Sequence, residues 1–363
     1  MARSLVLALL TSINLGFGAT RCVAAGDGAR TGPAGDATSS VNLIRRYRIG
    51  ESTRYRTETH TTATVRISPP GLEALLPPLP TQVSTRQQNT LTVRAIHANG
   101  VADVENRFDR LDLHYDLPQQ TPQEVRDSSL KEQQAFCRRA VGQKVVAHYD
   151  RGGRLLGFEG AEAILDPLSA PLRHPFEQVL KLLLQQMGGG PFYPNHPVEL
   201  NGEWKRSFRV NSADASSWTL EGESTYRYEG QAEYRGSKAA VIRFSFTSLL
   251  TPGAAALPGA VPKPSQAETT VNGLQVQVKG RGQGRMLAAL KSGAILENQA
   301  RVHQTLEISV RAMPGVNRPP SDPITVQMEV ETTFQMQGMV ENQIESTGRM
   351  RQGGASDEAP TRP

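Results

Sequence analysis

The chain has 363 residues, with 40 Lys+Arg against 35 Asp+Glu and a formal charge of +5. So small an excess on so long a chain argues against a dedicated nucleic-acid binder. Past the N-terminus no apolar run reaches the roughly 18 residues of a membrane span. With 38% hydrophobic residues and 33 glycines the composition is globular, enough for one large or two ordinary domains.

Residues 1–25 read as an export signal: Arg3 gives a basic start, Leu5 to Leu15 is a short apolar stretch, and Val23-Ala24-Ala25 predicts cleavage before Gly26. Arg3 and Arg21 leave with it, so the exported chain carries 38 basic and 35 acidic residues, a charge of +3. Cys22 would suit a lipid anchor, but Arg21 directly before it spoils the lipobox, so anchoring there is not expected. Cys137 then remains as a lone thiol in an oxidising compartment and is read as a structural, buried cysteine. Residues 26–40 and 341–363 are small, polar and without periodicity, and are expected to be disordered tails.

Between them period-two alternation dominates. In residues 52–67, Tyr55, Thr57, Thr59, Ala63, Val65 and Ile67 share one face, while Arg54, Arg56, Glu58, His60 and Arg66 share the other. A second strand is expected over 81–96, a tight turn at Asn99-Gly100, and a third strand to Tyr115. In the third, apolar residues switch parity after Phe108, which predicts a bulge near Asp109–Arg110. A helix is expected over 128–140, then a hairpin of 144–149 and 154–158 turned at Asp150-Arg-Gly-Gly153. The best helical pattern lies within 161–187. Pro175 fits its first turn, Phe176, Val179, Leu180, Leu183, Leu184 and Met187 form a stripe, and three glycines end it. Strands are then expected over 203–210, 217–229, 231–249, 267–280, 284–290, 295–311 and 324–337, long enough for a curved, twisted antiparallel sheet.

The halves share landmarks. Gly50-Glu51 and Gly202-Glu203 each open a strand, Gly100 pairs with Gly236, and Gly153-Arg-Leu-Leu with Gly293-Ala-Ile-Leu. This gives one β-rich domain, 41–340, of two related half-sheets (41–190 and 191–340) with a few helices packed on the concave side.

Several of these turns come in a telling order: Asp127-Ser128-Ser129, Ala140-Val-Gly142-Gln143, Asp150-Arg-Gly-Gly153-Arg-Leu-Leu, Pro197 to Trp204, Tyr228-Glu-Gly230, and Gly236 before Val241–Phe246. Together they resemble a family of secreted bacterial proteins classed as a domain of unknown function, over about residues 44–337. The resemblance implies export and a β-rich fold with a few helices, and it brings no catalytic residues. The segments 69–80 and 251–265 look longer than that family's loops.

The chemical signals are weaker. The seven histidines form no zinc pattern, and Asp112-x-His114-x-Asp116 lies on the face opposite Leu111 and Leu113, so no metal or cofactor is expected. Ser128-x-x-Lys131, Tyr193-x-Asn195 and Lys291-Ser292-Gly293 resemble, in order, the short elements of acyl-serine enzymes such as β-lactamases and penicillin-binding proteins. A charged helix around Ser128 and a turn at Lys291 count against that reading. Gly280-Arg-Gly282-Gln-Gly284 lacks a following helix and reads as a twisted or bulged strand rather than a phosphate loop. Arg45, Arg46, Arg48, Arg54 and Arg56 read as a charged solvent face. Leu72, Leu75, Leu76 and Leu79 in one Pro-rich loop, and Ala254 to Val261 in another, are unusually apolar for surface loops and are expected to pack on the sheet or cover a cavity mouth. The sequence therefore points to a non-enzymatic module for an apolar or amphipathic envelope ligand, held by Phe176, Leu180, Leu183 and Leu184 under loop 69–80. A curved sheet with such a helix in its concavity is loosely like lipoprotein-carrier folds. The alternatives are an envelope assembly protein that binds other proteins through strand edges, and the acyl-serine enzyme.

Overall fold

The computed structural model describes residues 40–68, 81–117, 121–166, 193–194, 196–211, 218–252, 270–271, 274–310 and 324–340, with seven positions between 173 and 187. The expected signal peptide with Cys22, the tails 26–40 and 341–363 apart from Ser40, which pairs with Glu199 rather than belonging to a disordered tail, and the apolar loops 69–80 and 254–261 lie outside the described residues. So do Pro175, Phe176, Val179, Leu183 and Asn195.

The elements run β1 (Ser40–Val41), β2 (Ser52–Ser68), β3 (Gln82–Ile96), β4 (Ala102–Asp116), α1 (Gln123–Ala140), β5 (Lys144–Tyr149), β6 (Leu155–Glu159) and α2 (Glu162–Leu165). The second half continues with β7 (Val198–Glu199), β8 (Glu203–Asn211), β9 (Trp218–Tyr234), β10 (Ser237–Pro252), β11 (Thr270–Val271), β12 (Leu274–Ala289), β13 (Ile295–Val310) and β14 (Ile324–Val340). A long, curved, antiparallel 12-stranded sheet has the order β6-β5-β4-β3-β2-β14-β13-β12-β10-β9-β8, with β11 added to β12; β1 and β7 pair separately. The halves meet where β14 pairs with β2, from Thr325 opposite Ser68 to Val340 opposite Thr53. Gly100 and Gly236 turn the hairpins β3–β4 and β9–β10, and Gly153 and Gly293 turn β5–β6 and β12–β13, all with positive φ.

Alternation dictates the layering. On β2, Thr53, Tyr55, Thr57, Thr59 and Thr61 are buried while Arg54, Arg56 and His60 are exposed. Pairing carries that parity across the sheet and gives one inward and one solvent face. The main core gathers at the end of the sheet that holds the short hairpins, around Leu43, Tyr149, Tyr228, Ile242, Met286 and Leu184. Each such side chain contributes about 1.5–3 kcal/mol by leaving water. A smaller cluster of Val278, Leu306, Met328 and Val330 lies toward the opposite end, from which chain segments 69–81, 253–269 and 311–323 depart.

Several expectations need correction. α1 begins at Gln123, not Ser128, because Pro122 lies extended just before it and Glu124 favours the first turn; Gly142, at φ 85°, follows its end. The region 161–187 is not one described helix: α2 stops at Leu165, and helical positions reappear at Arg173, Glu177, Leu180, Lys181, Leu184, Gln185 and Met187. The break expected at Gly230 falls instead at Arg235-Gly236, so β9 runs on to Tyr234. The glycines at 280, 282 and 284 do not divide a strand, and β12 crosses them unbroken. The predicted bulge at Asp109 is present: Gln88 faces Arg110 and Asn89 faces Phe108, leaving Asp109 as the extra residue.

Candidate functional site

The inward face divides into three zones. At the hairpin end the segment before β2 folds over the sheet, with Arg46 N–H bonded to the Ser292 carbonyl at 2.7 Å. Arg45 shares the inward parity of Val41 and Leu43 and is buried with Glu51, at 8% and 5% exposure and 3.0 Å apart. Its guanidinium also donates to the Ser292 and Arg46 carbonyls and lies 4.4 Å from the centroid of the Tyr47 ring. Tyr47 stacks on Tyr149 with centroids 5.8 Å apart, and the Tyr149 hydroxyl donates to the Leu184 carbonyl at 2.6 Å. Burial pushes the Tyr55 hydroxyl up to about 12 and those of Tyr47, Tyr149 and Tyr193 upward as well. A cavity of about 10 Å³ is lined by Arg45, Tyr47, Glu51, Tyr55, Tyr149 and Met187. It has room for about one water. This end is a plug.

Next comes a belt of uncharged polar side chains. Thr57, Thr59 and Thr61 of β2, Gln87 of β3, Asn298 and Gln304 of β13 and Thr332 of β14 are buried here, while buried Asn89 and Asn106 lie on the rungs of Tyr55 and Thr53, against the plug. Some pair with one another: Asn89 Nδ2 donates to Asn106 Oδ1 at 2.9 Å, and the hydroxyls of Thr61 and Thr332 are 2.9 Å apart. Others have none: Gln87 Nε2, Asn106 Nδ2, Asn298 Oδ1 and Gln304 Oε1 are buried without a hydrogen-bond partner, as are Glu51 Oε2 and Thr121 Oγ1. Beyond the belt lies the apolar cluster of Val278, Leu306, Met328 and Val330.

The glycine stripe of β12 belongs to this face. A Cβ on Gly282 would meet the Phe246 ring, and one on Gly284 the Phe244 ring, so two aromatic side chains of β10 lie over bare backbone. This close approach explains the Gly-x-Gly-x-Gly pattern without a phosphate.

Of the expected ligand-binding residues, Leu180 and Leu184 are buried in the main core, at 8% and 0% exposure. Leu72, Leu75, Leu76, Leu79, Phe176 and Leu183 lie outside the described residues. Of the acyl-serine elements, Ser128 and Lys131 are exposed on α1, six and nine positions after Pro122. The structure does join Tyr193 to the turn at Lys291, its hydroxyl donating to the Gly293 carbonyl at 2.7 Å. No described contact brings Ser128 or Lys131 to that pair. Asp112, His114 and Asp116 are exposed on the solvent face. Arg110 pairs with Asp112 at 2.6 Å and His114 with Asp116 at 3.1 Å. Among the described residues no three His, Cys, Asp or Glu side chains gather as a metal site. Cys137 is half-buried, and burial pushes its thiol up. The basic stretch divides: Arg46, Arg48, Arg54 and Arg56 are exposed, whereas Arg45 is core.

No protein-family model matches the chain, and no curated protein matches it. Solved structures that overlap it include the outer membrane protein OprG from Pseudomonas aeruginosa, at 6% identity over 82% of this chain and 99% of that one, with a TM-score of 0.21. An outer membrane channel from Pseudomonas putida F1 overlaps at 5% identity, 82% and 98% coverage and a TM-score of 0.16. OccK5 (OpdH) from Pseudomonas aeruginosa does so at 5% identity, 82% and 100% coverage and a TM-score of 0.19. Values this low do not establish a shared fold.

The solvent face carries its own information. Strands that cross a bilayer turn an apolar band toward lipid. Here the outward side chains of β2 are Arg54, Arg56, Glu58, His60 and Arg66, and neighbouring strands add ion pairs such as Arg94–Glu105 at 2.7 Å and Arg243–Glu229 at 2.6 Å. On β2 and the strands bearing these pairs the face suits water, while Val241, Leu287 and Leu296 form a buried apolar cluster on the outward side of β10, β12 and β13. Among the described residues no helix is long and apolar enough to cross a membrane.

Proposed function

We propose that the chain is an exported, non-enzymatic binding module of the cell envelope, holding an apolar or amphipathic ligand on the inward face of its sheet. The observation that carries this reading is the grading of that face. It is sealed by the tyrosine plug at one end, passes through buried Thr, Asn and Gln side chains, and becomes apolar at Val278, Leu306, Met328 and Val330. A core whose only task is packing gains nothing from unpartnered amides, each costing about 1–3 kcal/mol. The charged outer face fits a protein working in water between or outside membranes rather than within one. The export signal read in residues 1–25 supports the same compartment.

Native mass spectrometry of the full-length protein made in its exporting host, followed by organic extraction, tests the proposal. Recovery of a bound amphiphile in stoichiometric amount is the expected result. A chain recovered ligand-free, and unable to take up any amphiphile offered to it, would sink the idea.

A second reading, an assembly protein that binds through a strand edge, draws on β8. Among described residues this nine-residue strand pairs only with β9 and ends the sheet order. Crosslinking in intact cells from a photoreactive residue at Lys205 tests it: a discrete protein adduct is the expected result, and none would remove it.

A further inference from the structure

We propose that the hairpin end of the sheet seats the protein on the surface of an anionic lipid bilayer, with basic side chains on lipid phosphates and isoleucines set between them. This goes beyond the binding reading above and does not depend on it.

The turns at that end join into one rim. Arg151 of the β5–β6 turn lies over Gly100 of the β3–β4 turn. Gly50 N–H bonds to the Val93 carbonyl at 2.9 Å, which lays the chain before β2 beside the end of β3. The same segment crosses the β12–β13 turn, where Arg46 N–H bonds to the Ser292 carbonyl and Arg46 Nη1 donates to the Lys291 carbonyl at 3.2 Å. Alternation along this segment decides what faces out. Leu43, Arg45 and Tyr47 turn into the plug, which leaves Ile44, Arg46 and Arg48 in solvent.

The charge on the rim is unbalanced. Arg46, Arg48, Arg151 and Lys291 are exposed, and none has a described carboxylate within ion-pair distance. The nearby acids are already engaged. Asp150 accepts the N–H groups of Gly152 and Arg154 and pairs with the Arg154 guanidinium at 3.3 Å. Asp103 sits between His97 and His148, at 2.7 and 2.8 Å, and Glu51 is held by Arg45 inside the plug. Only toward β9 do the charges mix, with Lys238 facing Glu233 across the strand pair. Farther along the strands, outward arginines find partners, as in Arg107–Asp109 at 2.6 Å and Arg301–Glu331 at 3.0 Å.

Apolar side chains interrupt this basic rim. Ile44, Ile49 and Ile96 are 38%, 66% and 38% exposed, three of the seven large apolar residues that stand in water among the described residues. One exposed isoleucine is ordinary. Three of them interleaved with unpaired cations match a bilayer interface, where phosphates take the charges and aliphatic groups reach the acyl boundary. A soluble polyanion would use the cations and gain nothing from the isoleucines.

Flotation of the full-length protein with phosphatidylcholine vesicles, with and without about 30 mol% phosphatidylglycerol, tests the proposal in about 0.1 M salt. The parent should bind the anionic vesicles at least about tenfold more tightly than the neutral ones. Arg48→Gln/Lys291→Gln should weaken that binding about twentyfold, about fivefold for each cation. Lys279→Gln/Arg281→Gln removes the same charge from exposed positions within β12 and should leave binding within about twofold of the parent. Ile49→Ser should weaken it about fivefold. No preference for anionic vesicles, or an equal loss in the β12 variant, would overturn the proposal. Ile49→Ser binding like the parent would also overturn it, and would make the rim a site for a soluble polyanion instead.

Discussion

Removing one member of the Arg45–Glu51 pair should be far more costly than removing both. With Glu51→Ala the guanidinium stays buried and loses its only carboxylate, keeping the Ser292 and Arg46 carbonyls and the Tyr47 ring. Breaking a buried pair costs about 3–5 kcal/mol, and the surviving carbonyl contacts place this one near the lower limit, about 3 kcal/mol. For the roughly 230 described residues the unfolding entropy is near 0.5 kcal/mol per kelvin, so the melting temperature should fall by about 6 °C. In Arg45→Met/Glu51→Met both charges are gone and the site is filled by apolar side chains, so stability should return to within about 1 kcal/mol of the parent. Urea unfolding at 25 °C of the parent, Arg45→Met, Glu51→Met and the double variant closes the cycle, with an expected coupling of about 2 kcal/mol or more. If Glu51→Ala costs less than about 1 kcal/mol, or if the double variant loses the sum of the singles, the pair is solvated and the plug is misread.

Three further expectations can be checked alongside it. Gly282→Ala should destabilise by about 1–3 kcal/mol because its methyl would meet the Phe246 ring, whereas Gly157→Ala, with nothing within 4 Å and ordinary φ, should be neutral or slightly stabilising in the same urea assay. Partial burial tends to raise the Asp103 carboxyl, but the hydrogen bonds from His148 and His97 outweigh it and hold its pKa below the usual value. A depressed folded pKa gives stability that is present above the unfolded value, about 3.9, and lost as pH falls through the folded one. Asp103→Asn should therefore cost most near neutral pH, with the gap to the parent closing below about pH 4 in acid unfolding curves. Tyr149→Phe leaves the buried Leu184 carbonyl without its donor and should cost about 1–3 kcal/mol, read as a shifted urea midpoint at unchanged slope.

The strands were legible wherever period two ran undisturbed. β2, β3 and β4 lie within a residue or two of expectation, and the parity switch at Phe108 located the bulge at Asp109. Errors came where a local signal outweighed pairing. Gly230 looks like a turn, yet β9 continues through it because β10 pairs on either side, with the register shift at Val241/Ile242 taking up the irregularity. Gly280, Gly282 and Gly284 look like a break until Phe244 and Phe246 are seen above them. The plug is hidden in the sequence because Arg45 stands among the charged residues Arg46, Arg48 and Arg54. Its parity with Val41 and Leu43 was the available clue.

The amide belt was harder to read for a physical reason. Thr, Asn and Gln at inward positions weaken the hydrophobic alternation that marks a strand, so Gln87, Asn89 and Asn106 leave no sequence signal distinct from a half-solvated face. Only the pairing of β3 with β2, and of β14 with β2 and β13, brings them to the same side as Asn298 and Gln304. A fold selected for stability alone would replace such groups, because apolar side chains of the same volume cost nothing to bury there.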